Sequence, residues 1–196
     1  MSPYRLWLFV LIAIVRHPHG AAQRKVSNTR TQPARPWQFM ASGFMYLNST
    51  TLDIPGVTCT KAITRRNSKT GTFTQYTVVK SHGSWRREDM YYKPIWTRKV
   101  PVRSQGFTSL DRSGSTNYTI EFNYTLEYCA ILKTRNQTGR GENEVCQLWV
   151  NEKYFKRSSQ DQEFCKTNLT ARCNSNSTTL YKREDCEDTH KVILLA

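Results

Sequence analysis

A chain of 196 residues with 38% hydrophobic and 12% aromatic content is long enough for one domain with a sizeable core and too short for two. Its net charge of +14 favours anionic contacts, whether sulfated polysaccharide, lipid surface or nucleic acid, although the charges are dispersed along the chain as on a solvated surface. The longest apolar run, Leu6 to Val15, is too short to cross a bilayer as a helix.

Residues 1–22 combine Arg5, that apolar run and the small-residue exit Gly20-Ala21-Ala22, the three-part pattern of a secretory signal. Residues 23–36 hold Arg24, Lys25, Arg30, Arg35 and two prolines, and read as a flexible basic arm. Beyond the arm, short runs rich in Tyr, Phe, Val, Ile and Thr alternate with turn clusters, as in an all-β barrel or sandwich. Strands are predicted at Phe44 to Leu47, Thr58 to Arg65, Thr72 to Lys80, Met90 to Arg98, Asn117 to Tyr124, Glu127 to Thr134 and Glu144 to Val150. A poorly periodic helix is predicted from Ser158 to Cys173, the domain is expected to end near residue 188, and residues 189–196 form a tail.

All six cysteines follow the signal, and an even count in an exported chain points to three disulfides. No two of them stand as close as the C-x2-C pairs of structural zinc sites, so no metal is expected. Six N-x-S/T sequons, at Asn48, Asn117, Asn123, Asn136, Asn168 and Asn176, fit a glycosylated, secreted protein.

Alternation along strands assigns faces. Asn117 and Asn123 share one face of a continuous strand, which is outer if either carries a glycan, so Ile120, Phe122 and Tyr124 face inward and Glu121 outward. Cysteines bonded to a helix outside the wall also point outward, taking Cys129, Ile131, Cys146 and Leu148 with them. Ala130, Leu132, Gln147 and Trp149 then face in.

Tyr128-Cys129-Ala130-Ile131-Leu132, Cys146-Gln147-Leu148-Trp149, Cys165 and Tyr181-Lys182-Arg183-Glu184-Asp185-Cys186 resemble the C-terminal half of the tick salivary lipocalins, the histamine-binding protein family. Trp37, Phe44-Met45-Tyr46-Leu47 and Cys59 are similar to the N-terminal half, so the resemblance spans residues 37–188 and is firmest after 117. It implies an eight-stranded antiparallel lipocalin-type barrel with a C-terminal helix packed on its wall. It also implies pairing of Cys59 with Cys186 and of Cys129 with Cys165, which leaves Cys146 for Cys173.

The lumen lining would then include Phe122, Tyr124, Ala130, Leu132, Gln147 and Trp149. Amine-capturing members carry an aspartate after the first cysteine of this stretch and a glutamate before Leu-Trp. Such acids offset the cost of moving an ammonium group into a low-dielectric cavity. Here those positions are Ala130 and Gln147, and neither brings a charge. Glu88 or Asp89 could supply the missing acid, and Lys93 or Arg98 could anchor an acidic ligand.

The resemblance therefore implies a secreted, monomeric lipocalin that sequesters a small host mediator without a cofactor. A biogenic amine competes evenly with an eicosanoid or fatty acid, and an interior simply filled by side chains is the plain alternative. A second reading makes the barrel a scaffold that binds a host protein or sulfated polysaccharide through its basic surface. Catalysis is not expected. After the signal only His82 and His190 remain, both in turn or tail contexts, and no G-x-S-x-G, phosphate-binding glycine loop or H-E-x-x-H occurs. Trp85 and Trp96 are read as core aromatics, and Arg140-Gly141-Glu142 as a turn.

Overall fold

Alternating β-branched and aromatic residues govern the secondary structure of the computed structural model, which describes residues 33–95, 106–110, 116–136, 144–173 and 179–189. A short helix, α1 (Pro36–Met40), is followed by β1 (Phe44–Thr50), β2 (Val57–Arg66), β3 (Phe73–Ser81) and β4 (Ser84–Ile95). Then come β5 (Gly106–Leu110), β6 (Thr116–Thr125), β7 (Cys129–Asn136) and β8 (Glu144–Asn151). The longer helix α2 (Ser159–Cys173), a two-residue strand β9 (Thr179–Leu180) and a 3-10 turn at Glu184–Thr189 complete the described chain. The signal at 1–22, most of the basic arm, the tail beyond residue 189, Trp96, Arg98, Asn176 and His190 lie outside the described residues.

Each strand from β2 to β8 pairs antiparallel with the next, and β1 closes the ring against both β8 and β2. The product is a closed eight-stranded antiparallel barrel, an arrangement that removes sheet edges. Pairing of β1 with β2 stops at Tyr46↔Lys61, and β9 continues along the same edge through Ser49↔Leu180 and Thr50↔Thr179.

The end of the expected arm is docked. The Ala34 N–H donates to the Thr125 carbonyl, and Pro36 opens α1, where its fixed φ and missing N–H cost nothing. Two strands depart from the sequence expectation. β4 begins at Ser84 rather than Met90, because the charged run Arg86-Arg87-Glu88-Asp89 continues the alternation with one member of each pair turned outward. The short β5 supplies the eighth barrel strand, which falls outside the seven predicted runs; its Gly106 lets the β6 backbone approach closely, since a Cβ there would stand 2.9 Å from the Ile120 carbonyl oxygen.

Alternation divides the apolar residues into two cores. Met45, Leu47, Ala62, Phe73, Tyr92, Phe107, Ile120, Phe122, Ala130, Leu132 and Trp149 pack inside the barrel, with Phe39 and Met40 of α1 joining them. Tyr46, Tyr128, Ile131, Leu148, Val150, Tyr154 and Leu169 pack between the outer wall and the C-terminal segment. The three disulfides, Cys59–Cys186, Cys129–Cys165 and Cys146–Cys173, all belong to this outer layer. Beside the first of them, the Tyr46 hydroxyl donates to Glu152, whose other oxygen lies 3.0 Å from Arg183. Lys61 lies over the Phe44 ring at 4.2 Å, and burial lowers its pKa.

The helix α2 has little apolar surface of its own to bury. Cys165 and Leu169 are its buried residues, and both its cysteines are bonded to the wall. Its seat is therefore fixed covalently more than by a hydrophobic stripe. The pair Cys129→Ala/Cys165→Ala is expected to lower unfolding free energy by about 3 kcal/mol in urea titration. Amide exchange in α2 should then lose protection before exchange in β7 and β8 does.

Candidate ligand-binding site

The barrel encloses a cavity of about 270 Å³. Its lining follows from parity along each strand: Tyr118, Ile120 and Phe122 from β6, Leu132 and Thr134 from β7, Gln147 and Trp149 from β8, and Met45 and Leu47 from β1. The opposite wall is more polar, with Gln75, Thr77 and Val79 from β3 facing in beside Arg86, Glu88, Met90 and Tyr92 from β4. Phe39 and Met40 of α1 add apolar surface, while Ile54 approaches from the β1–β2 connection and Val57 from the start of β2. That connection is tied to the β3–β4 turn by the His82 N–H, which donates to the Gly56 carbonyl. Gly56 has φ +75°, and its missing side chain makes room for the His82 imidazole, which would lie 2.3 Å from a Cβ.

Phe122, Leu132, Gln147 and Trp149 line the cavity, and Ala130 lies in the barrel core behind it. Tyr124 does not. The expectation of a continuous strand fails at a β-bulge: Phe122 pairs with Leu132, but Tyr124 pairs with Ile131 and Thr125 with Ala130. The extra residue, Asn123, reverses the parity and sends Tyr124 outward, where its ring meets Phe164 of α2 at 6.3 Å and Arg172 at 4.7 Å. Glu121 is exposed on the outer side. Of the sequons, Asn48 is on β1, Asn117 and Asn123 on β6, Asn136 at the end of β7 and Asn168 on α2.

The two walls treat their polar groups differently. On β8 the Trp149 indole N–H donates to the Gln147 side-chain oxygen at 3.0 Å, which engages the side-chain acceptor that this strand turns to the cavity. On the other wall the Tyr92 hydroxyl donates to the Gln75 oxygen at 3.0 Å and lies 3.3 Å from the Tyr118 hydroxyl. Thr77 is buried, and among the described residues its hydroxyl has no hydrogen-bond partner. Its strand partner is Glu88, the one carboxylate that lines the cavity among the described residues. Glu88 pairs with Arg86 at 2.8 Å, and both are partly exposed toward the mouth, with side chains 43% and 72% accessible.

Asp89 and Lys93 belong to the opposite face of β4, Asp89 held by Arg87 at 2.7 Å and Lys93 exposed. Trp85 likewise packs with the outer core, under the Lys80 ammonium at 5.4 Å. The sequence reading missed the β3–β4 wall of the cavity. Its signal was the alternation of Gln75, Thr77, Val79 and of Arg86, Glu88, Met90, Tyr92, hidden because these residues are mostly polar. Among the described residues no group of three or more His, Cys, Asp and Glu is placed to hold a metal ion. No helix among them is long and apolar enough to cross a membrane.

No protein-family model matches the chain. No curated protein matches it either. Among solved structures it is similar to the siderocalin Ex-FABP, a protein that functions through dual ligand specificities, at a TM-score of 0.53 and 11% identity, covering 72% of this chain and 93% of that one. At that identity the likeness concerns architecture, and the closed barrel with its C-terminal helix is a lipocalin fold.

Burial raises the pKa of Tyr92 and Tyr118 inside the barrel, and outside it pushes Tyr154 up to about 12. A free tyrosine ionises near pH ~10, so these groups stay neutral in the folded state where the unfolded chain already loses protons. The stability they contribute is whole below about pH 10 and is lost as pH rises from there through their native values. In an alkaline titration followed at 295 nm, their tyrosinate absorbance should appear in a cooperative step that coincides with loss of near-ultraviolet circular dichroism.

Proposed function

We propose that the protein is a secreted, non-enzymatic lipocalin that sequesters a compact host mediator with a cationic amine head, and so modulates inflammation or haemostasis in the host. The observation that carries the choice of head group is Glu88, the one carboxylate on the cavity lining among the described residues, placed across from the Thr77 hydroxyl, which has no hydrogen-bond partner among them. It provides, from β4, the fixed anion that Ala130 and Gln147 do not. An ammonium group entering at the mouth would compete with Arg86 for that carboxylate while the apolar remainder of the ligand meets Phe122, Leu132 and Trp149.

Cavity size supports an amine over an eicosanoid or fatty acid, which the sequence left on equal terms. A volume of about 270 Å³ lies just below the roughly 300–1,000 Å³ of sites that enclose drug-sized ligands. A long acyl chain would need Tyr92, Tyr118 or Trp149 to move out of packed positions.

Calorimetric titration with histamine, serotonin and a leukotriene separates the readings. The expected outcome is micromolar or tighter binding of one of the amines, weakened about 10-fold or more by Glu88→Gln and unchanged by Asp89→Asn, in line with roughly 1.5–3 kcal/mol for a charge-assisted contact. Tighter binding of the leukotriene, or amine affinity indifferent to Glu88→Gln, would falsify the amine assignment.

A further inference from the structure

The outer face of β2, β3 and β4 is built differently from the rest of the wall. Its charged residues alternate with aromatic ones across neighbouring strands. Arg65 of β2 and Arg87 of β4 reach the Tyr76 ring of β3 from its two sides, at 5.5 and 5.0 Å, and Lys80 covers Trp85 at 5.4 Å. Lys93 extends the row along β4, on the same face as Arg87 and Tyr91. Against these four cations the outward positions of the three strands hold one carboxylate, Asp89, which is engaged by Arg87. Cations stacked on aromatic rings keep their charge and stay fixed in place, whereas a surface lysine or arginine in water samples many rotamers. By register Lys80 lies opposite Trp85 and Lys93 stands eight residues further along β4, so at roughly 3.3 Å per residue the four charges spread along the length of the three strands.

This face also carries no N-glycosylation sequon, a property it shares with β5 and β8. The six sequons lie at Asn48 and from Asn117 onward, and none occurs in β2, β3 or β4. Carbohydrate would therefore cover other sides of the barrel and leave the basic face accessible.

We propose that the outer face of β2–β4 binds sulfated polysaccharide, through Arg65, Lys80, Arg87 and Lys93. Polyanions that meet a disulfide-bonded protein outside cells are chiefly of that class, and sulfate suits guanidinium and ammonium donors without any base-specific contact. A single-stranded nucleic acid would need a series of exposed aromatic faces for base stacking, whereas the two arginines flank Tyr76 and Lys80 lies over Trp85, which leaves Tyr91 as the exposed ring among the described residues of this face. The surface is separate from the lumen, so retention on the polysaccharide would hold the protein in tissue without closing the cavity.

Heparin affinity chromatography of the full secreted chain tests this. Retention above about 0.15 M salt is expected, with Arg65→Gln/Lys80→Gln/Lys93→Gln losing about 10-fold or more in affinity and keeping the native near-ultraviolet spectrum. The single charge reversal Lys93→Glu, at an exposed position, should lower the eluting salt concentration in the same direction. The arm variant Arg24→Gln/Lys25→Gln/Arg30→Gln should elute with the unsubstituted protein. Three outcomes would overturn the proposal: wash-through at about 0.15 M salt, a shift in the arm variant in place of the wall variants, or equal binding of desulfated heparin or single-stranded DNA.

Discussion

The covalent attachment of the C-terminal segment to the outside of the barrel is the constraint on which the remaining structure depends. Cys129 on β7 and Cys146 on β8 must point outward to reach Cys165 and Cys173 of α2. In a strand that decision propagates to every neighbour, because side chains alternate. It places Ala130, Leu132, Gln147 and Trp149 on the inner side and gives Ile131, Leu148 and Val150 to the layer beneath the helix. Cys59–Cys186 does the same for β2, setting Thr60, Ala62 and Thr64 inward while Lys61 joins the polar cluster with Tyr46, Glu152 and Arg183. The amphipathic force on α2 is small, and the bonds supply the orientation it lacks.

The lumen that results is asymmetric. Its β6–β8 wall is mostly aromatic and apolar, with the Gln147 oxygen engaged by Trp149, whereas its β3–β4 wall carries the Tyr92 hydroxyl, Gln75, Thr77 and the Glu88–Arg86 pair. A desolvated charge needs a fixed counter-charge, but that group can come from any strand whose parity faces the cavity. Glu88, on β4, stands near water at the mouth, where it is screened and already partnered by Arg86.

The sequence disclosed the second half of the barrel better than the first, for physical reasons. β7 and β8 carry buried apolar residues on both faces over Cys129–Leu132 and Cys146–Val150 and begin or centre on cysteines, so their type and orientation are legible in the sequence. The first half of β4 has one charged residue of each sign on either face, Arg86 and Glu88 inside, Arg87 and Asp89 outside, and a run so polar gives no hydrophobic alternation to read. β5 is only five residues long and contains a glycine whose role depends on the neighbouring backbone, which no local pattern reports. Among the candidate lumen residues, the one misplaced, Tyr124, lies beyond the bulge. Period-two reasoning is sound only while the ladder keeps register.

That bulge gives β6 two allegiances. Up to Phe122 the strand serves the interior, and from Tyr124 its large side chain serves the helix. With no inserted residue, the tyrosine would crowd the chamber and the helix would lose an aromatic neighbour. One residue of slippage thus acts as a phase change in the wall, letting the same strand shape a small chamber at one end and a docking shelf at the other. Chamber size and helix seating are therefore linked at Asn123, so a shift in register there would alter both together.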